Sequence, residues 1–192
     1  MILCRIHART TARRKGPSPW LLLAVVLTGF VIMAKPARAG DGEWILSVSP
    51  EAAMARAWGK THWGPGMELA VEYGLSDSWT LRGQATYAAL WAPGSQPNSM
   101  LSMVQGGADV VWNLDVLRLI PFIHAGLAAA ALGGRDQKWT PFLAIRIGAG
   151  LDYLLNRCWT VGMTVTYNLL VPKVTQVPAL LGLGFRATYR WF

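Results

Sequence analysis

From Trp79 onward, apolar and polar residues alternate along the chain with a period of two, the spacing of a β-strand with two different faces. One face reads Trp79, Leu81, Gly83, Ala85, Tyr87, Ala89, Trp91; the other reads Thr80, Arg82, Gln84, Thr86. The pattern recurs from Trp159, where Trp159, Val161, Met163, Val165, Tyr167 and Leu169 oppose Thr160, Gly162, Thr164, Thr166 and Asn168. It recurs again at the C-terminus, where Leu181, Leu183, Phe185, Ala187, Tyr189 and Trp191 oppose Gly182, Gly184, Arg186, Thr188 and Arg190. The whole pattern predicts eight strands, over residues 44–57, 62–74, 79–91, 100–113, 116–131, 139–154, 159–171 and 179–192. The first is the least regular, because Pro50 interrupts it and the alternation fades after Val48. The run Leu117–Gly134 has the length of an apolar helix, but it contains Arg118, Pro121 and His124.

The connections alternate in character. Those near Leu75–Ser78, Leu114–Asp115 and Leu155–Arg157 are short and contain Asp or Asn, as tight turns do. Those near 58–62, 92–99, 132–138 and 172–178 are longer or richer in Gly, Pro and polar residues. Short turns at one end and longer loops at the other describe an antiparallel up-and-down barrel that crosses a membrane. The tryptophans support lipid as the outer solvent. Trp44, Trp79, Trp112, Trp159 and Trp191 fall at the short-turn end, and Trp58, Trp63, Trp91 and Trp139 at the long-loop end. Two such belts match the aromatic girdles at the two lipid–water boundaries. The fold class read from the pattern is therefore all-β, an eight-stranded transmembrane β-barrel.

Charge divides the chain. Net charge is +8, yet residues 1–39 hold seven of the 18 basic residues and none of the 10 acids. The remainder is near neutral and offers no basic patch for nucleic acid. Residues 1–19 are basic and polar, Trp20–Ala34 is an uncharged apolar run, and Ala37-Arg38-Ala39 is a small-x-small cleavage pattern before Gly40. These are the parts of a signal peptide helix. The apolar run is short for a spanning helix. The expected domains are thus a signal peptide at 1–39 and a barrel at 40–192. With 53% hydrophobic residues the chain is not a disordered one. After cleavage Cys158 is its sole cysteine, so no internal disulfide forms.

If the apolar face meets lipid, the polar face lines the lumen. By parity that face holds Glu51, Glu68, Glu72, Arg82, Asp109, Arg118, His124, Arg146, Asp152, Arg186 and Arg190, five acids against five arginines and a histidine. An eight-stranded barrel is only wide enough for side chains to fill it. Charges there must be paired, because a lone buried charge is very costly. Glu72 and Arg82 flank the first short turn on adjacent strands. One register sets Arg118 opposite Asp152 and His124 opposite Arg146, with Asp109 diagonal to Arg118, and strand closure brings Arg186 to the level of Glu51. Gly107, Gly126, Gly148, Gly150, Gly162, Gly182 and Gly184 leave room for the arginines. Leu101, Met103, Ile120, Phe122 and Phe142 also point inward, as an apolar plug at the loop end or as the mark of a bulge.

The stretch Tyr73-Gly74-Leu75-Ser76-Asp77-Ser78-Trp79-Thr80-Leu81 and the aromatic C-terminus, Phe192, carry a resemblance. Over almost all of 44–192 the chain resembles the small outer-membrane β-barrel family of the opacity, OmpX and OmpA-barrel type. The stretch matches that family's YGLSDxWxL periplasmic hairpin. The resemblance implies a bacterial outer-membrane location. It also implies an assembly signal at Tyr189, Trp191 and Phe192, read by the outer-membrane assembly machinery through the C-terminal strand. The family places an aromatic two residues before the last, where this chain has Arg190. The expected partners are outer-membrane lipid and that machinery; the expected state is a monomer, with no cofactor and, from the charge distribution, no nucleic acid.

Catalytic patterns are sparse. Neither His124-Ala125-Gly126 nor His62-Trp63-Gly64 gives the His-x-Ser of lipid A deacylating barrels, and there is no G-x-S-x-G elbow. The residues lack metal-ligand spacing. The reading is a non-catalytic outer-membrane barrel with a structural or surface-interaction role and a charged lumen. The alternatives are a lipid-modifying barrel enzyme and a soluble periplasmic barrel that binds an apolar ligand. N-terminal sequencing of the membrane-fraction protein should begin within a residue or two of Gly40; an intact Met1 would make the leader an anchor.

Overall fold

The computed structural model describes residues 42–57, 59–92, 100–114, 118–134, 137–171 and 179–191. Eight antiparallel strands close on themselves: β1 (Trp44–Ala57), β2 (Lys60–Gly74), β3 (Trp79–Leu90), β4 (Leu101–Asn113), β5 (Leu119–Gly134), β6 (Gln137–Leu154), β7 (Trp159–Val171) and β8 (Ala179–Trp191). Each pairs with its sequence neighbours, and β1 with β8, so no edge is left unpaired. In hydrocarbon that closure gives every strand a hydrogen-bonding neighbour on both sides. The signal peptide, its cleavage residues Ala37, Ala39 and Gly40, and the loops at 93–99 and 172–178 lie outside the described residues, as do Trp58 and Phe192.

The run at Leu117–Gly134 is strand rather than helix from Leu119 onward. β1 continues through Pro50, which faces outward. Pro50 pairs in register with Met67 of β2, while the register with β8 skips Ser49 and Pro50. A missing N–H is tolerated where only one of two ladders is interrupted. The turns after β2 and β6 share one design. Leu75 N–H and Leu155 N–H donate to the carbonyls of Trp79 and Trp159, at 2.8 and 3.0 Å. The polar residue next in line folds back: Ser76 Oγ accepts from Trp79 N–H, and Asn156 Oδ1 accepts from both Cys158 and Trp159 N–H. Those side chains mimic a backbone turn.

The apolar face points out. Leu69, Leu81, Ile123, Leu127, Ile147, Val165, Leu183 and Phe185 are exposed, while Arg82, Thr164, Arg186 and Thr188 are buried. Trp44, Trp79, Trp112, Trp159 and Trp191 ring the turn end, and Trp63, Trp91 and Trp139 the loop end, all on the outward side. Trp44 packs on Tyr73 with ring centroids 5.1 Å apart, and Trp159 on Tyr189 at 5.0 Å. Trp63 and Trp91 extend the β2–β3 ladder by a reciprocal pair of backbone hydrogen bonds, each 3.1 Å.

Inside, the loop end is apolar. Leu90, Leu101, Met103, Leu132, Phe142, Leu170 and Leu180 pack with a set of alanines into one buried cluster. Leu101, Met103 and Phe142 thus belong to a plug at the loop end, whereas Ile120 and Phe122 lie toward the turn end. The β5–β6 register also shifts once, between Leu132 and Gly134. Val165→Arg places a charge on the lipid side midway along β7 and should cost roughly 2–4 kcal/mol. Thr164→Ser, one residue away in the lumen, should leave stability nearly unchanged. Equal responses in a denaturation assay would show the facing assignment to be wrong.

Candidate functional site

Below the plug lies a layer of buried charge. Arg82 on β3 reaches its direct register partner on β2, with Nε donating to Glu72 Oε1 at 2.9 Å. Arg186 on β8 approaches the same Glu72 oxygen through Nη2, and Asp152 on β6 through Nη1 at 3.3 Å. Arg146 on β6 donates to Glu68 Oε2 at 2.8 Å and lies 3.3 Å from Asp109 on β4. His124 Nδ1 stands 3.5 Å from the same Asp109 carboxylate, with Nε2 near Thr166 Oγ1. Arg82 and Arg146 are 2% and 1% exposed, so these contacts are made out of water. The Phe122 ring adds a cation–π surface, its centroid 4.8 Å from the Arg186 guanidinium and 5.5 Å from that of Arg82.

The large lumen side chains lean over glycines. Asp109 pairs in register with Gly126, His124 with Gly148, Phe122 with Gly150, and Asp152 with Gly162. A Cβ on any of these glycines would collide with the side chain opposite. The space they leave thus serves the acids, the histidine and the phenylalanine as much as the arginines.

Several sequence expectations are corrected here. Arg118 is not in the lumen: it sits in the turn before β5 and is exposed. Its backbone carbonyl accepts from Leu154 N–H, which fixes it at the rim, where the side chain meets solvent instead of losing hydration. Asp152 therefore faces Ile120, Asp109 faces Gly126, and neither meets Arg118. His124 pairs with Gly148 and Arg146 with Gly126, two residues from the expected register. At closure Glu51 pairs with Gly184, so Arg186 lies two residues further toward the turn end and meets Glu72 and Asp152 instead. Arg190 does point inward, at the turn-end rim, 4.0 Å from Glu43. Glu43 was not anticipated, because it lies one residue outside β1, although it continues the inward parity of Ile45 and Ser47. Burial raises its carboxyl above the ordinary value, while the Arg190 guanidinium opposes the shift. The described interior therefore holds six acids and four arginines, not a balanced five and five.

Tyr189 and Trp191 project outward at the turn end of β8, with ring centroids 6.0 Å apart. His62 lies near the loop end on β2, remote from His124.

Neither a protein-family model nor a curated protein sequence matches the chain. Solved structures do. Neisserial surface protein A (NspA) superposes with a TM-score of 0.62 at 15% identity, over 78% of this chain and 98% of that one. Ail, the attachment invasion locus protein of Yersinia pestis, gives 0.53 at 17% identity, over 79% and 99%. The N-terminal barrel domain of Pseudomonas aeruginosa OprF gives 0.54 at 15%, over 79% and 99%. The chain has the fold of the small eight-stranded outer-membrane β-barrels.

Glu72 holds two arginines through one oxygen, so its loss and theirs are unequal. Glu72→Gln should cost about 3–5 kcal/mol by leaving Arg82 and Arg186 short of a partner. Arg82→Met should cost less, because Glu72 keeps Arg186. A double-mutant cycle on Glu72 and Arg82 should show coupling, and strict additivity would show none.

Proposed function

We propose that this chain is an integral protein of a bacterial outer membrane, exported by residues 1–39 as a cleaved signal peptide. In this reading it serves as a closed, non-catalytic barrel with a structural or surface-interaction role. The observation that carries it is the inversion of the barrel: an apolar exterior between two aromatic belts, around an interior sealed by an apolar plug and buried ion pairs. Lipid is the solvent that suits such an exterior. Tyr189 and Trp191, with Phe192, supply the aromatic C-terminal strand for the assembly machinery, and the network of Glu68, Glu72, Arg82, Asp109, His124, Arg146, Asp152 and Arg186 serves rigidity.

The non-catalytic half rests on the setting of His124. It is enclosed in the lumen between Asp109 and Thr166, away from the lipid that a lipid-modifying enzyme must reach. The surface half rests on the loop end, where Arg56, Lys60 and Lys138 are exposed. These are charged groups a surface partner meets there, and Ail, which shares the fold, has been crystallised with the heparin analogue sucrose octasulfate. The expressed protein should fractionate with outer membranes and migrate differently on gels before and after heating. In planar bilayers it should give no sustained open-channel current. A soluble periplasmic product would overturn the membrane reading, and a steady current the closed one.

A further inference from the structure

One acid in the lumen stands apart from the pairing. Glu51 on β1 lies just below the plug, and among the described residues its carboxylate has no hydrogen bond and no ion pair. Three glycines on its two neighbouring strands enclose it. A Cβ on Gly66 would come within 3.0 Å of Oε1, one on Gly182 within 2.8 Å of Oε2, and one on Gly184 within 3.2 Å of Glu51 Cβ. The carboxylate faces a small chamber also lined by Glu68, Thr86, Gln105, Arg146, Thr166 and Asn168. The chamber has room for an occupant the size of one water.

The chamber's acceptors are unevenly matched. Glu68 Oε2 is taken by Arg146 Nη2 at 2.8 Å and by Thr86 Oγ1 at 3.4 Å. Asn168 Oδ1 is taken by Gln105 Nε2 at 2.9 Å. Gln105 is 2% exposed, and its Oε1 is buried without a partner. The unpaired carboxylate of the half-buried Glu51 and the orphaned Gln105 oxygen border one water-sized space that suits a small cation, since acceptors left unmatched are costly. The charge inventory asks for the same. The interior holds two more acids than arginines, and among the described residues Glu51 is the inward acid outside every ion pair.

We infer that this chamber binds one small monovalent metal cation, of the sodium or potassium class, with Glu51 as its anionic ligand and Gln105 Oε1 as a neutral one. A divalent ion fits less well. Calcium takes six to eight oxygens, commonly from several carboxylates, and magnesium retains several waters. Here one carboxylate is free and the space holds about one water. The inference rests on the closed-barrel reading above, because an open lumen would hydrate Glu51 and remove the need for a ligand.

The test is thermal unfolding of the protein purified from outer membranes in neutral detergent. Sodium, potassium and choline chloride are compared at fixed pH and ionic strength. Sodium or potassium should raise the midpoint over choline. At a hundred times its Kd the cation should lower the unfolding constant about a hundredfold. Glu51→Gln should abolish the difference between salts and, in choline, should be at least as stable as the parent. Should Glu51→Gln fail to assemble, Gly182→Ala fills the cradle at unchanged charge and should diminish the cation effect; an undiminished effect would overturn the site. Identical midpoints in all three salts, with an infrared band of a protonated carboxyl that Glu51→Gln removes, would show that a proton meets the charge and would also overturn it. Bilayer recordings separate the two readings. A salt-specific midpoint with open-channel current would overturn the closed lumen, and a salt-independent midpoint without current would overturn only the cation site.

Discussion

The interior of a closed eight-stranded barrel is a dry space one side chain deep, and every charge in it must find a partner there. The rest of the structure follows from that constraint. Glu72, Glu68, Asp109 and Asp152 are each within reach of a guanidinium. Arg146 and Arg186 contact acids on strands that are not their neighbours, so the pairs tie opposite walls of the barrel together. Glycines stand opposite the bulky groups, because no Cβ fits beside a side chain that lies across the neighbouring strand. Above this layer a buried cluster of alanines, leucines, Met103 and Phe142 packs across the lumen at the loop end.

The sequence made the strands and their facing legible because lipid and lumen impose a strict period of two over a dozen residues at a time. Even Pro50, which weakens the pattern of β1, does not end the strand, since the ladder to β2 runs through it unbroken. Glu72 and Arg82 could be matched from sequence because a short turn fixes their register. The cross-lumen contacts could not. Which acid Arg186 meets depends on the stagger accumulated around all eight strands, and an error of two residues at closure moves it from Glu51 to the level of Glu72 and Asp152. Arg118 misled for a different reason: parity gives direction but not depth, and a residue at the rim has no wall beyond it. Glu43 escaped notice because it lies outside the strand whose parity it obeys. Its signal was present in the alternation of Ile45, Ser47 and Ser49 extended backward by one step.

The same enclosure that holds the charges keeps them out of bulk water. His124 and Asp109 have the residue types of an acid–base pair, but both are sealed between the plug and the Phe122 layer, and a general base must reach its substrate. The groups free to meet another molecule are on the outside of the barrel or at its ends: the lipid-facing belt, the two aromatic rings, and the basic residues Arg56, Lys60 and Lys138 at the loop end.

Register is the step where interior charge has its largest structural effect. A slip of one residue between two strands turns every side chain to the wrong solvent, so the alternation excludes it. A slip of two restores the facing of every residue, and the outer surface, apolar along its whole length, hardly distinguishes the two arrangements. In the lumen they differ sharply. Moving β8 by two residues against β1 would bring Arg186 level with Glu51, withdraw it from Glu72 and Asp152, and carry Gly184 away from the Glu51 side chain it accommodates. Moving β6 by two against β5 would lift Gly148 from beneath His124 and set Arg146 there in its place. Each slip leaves a buried charge unmatched or a bulky side chain without its gap. The charged layer and its glycines therefore select among registers that hydrophobic patterning leaves equivalent, which is a reason for a barrel to keep ionised groups where an apolar filling would close the lumen equally well.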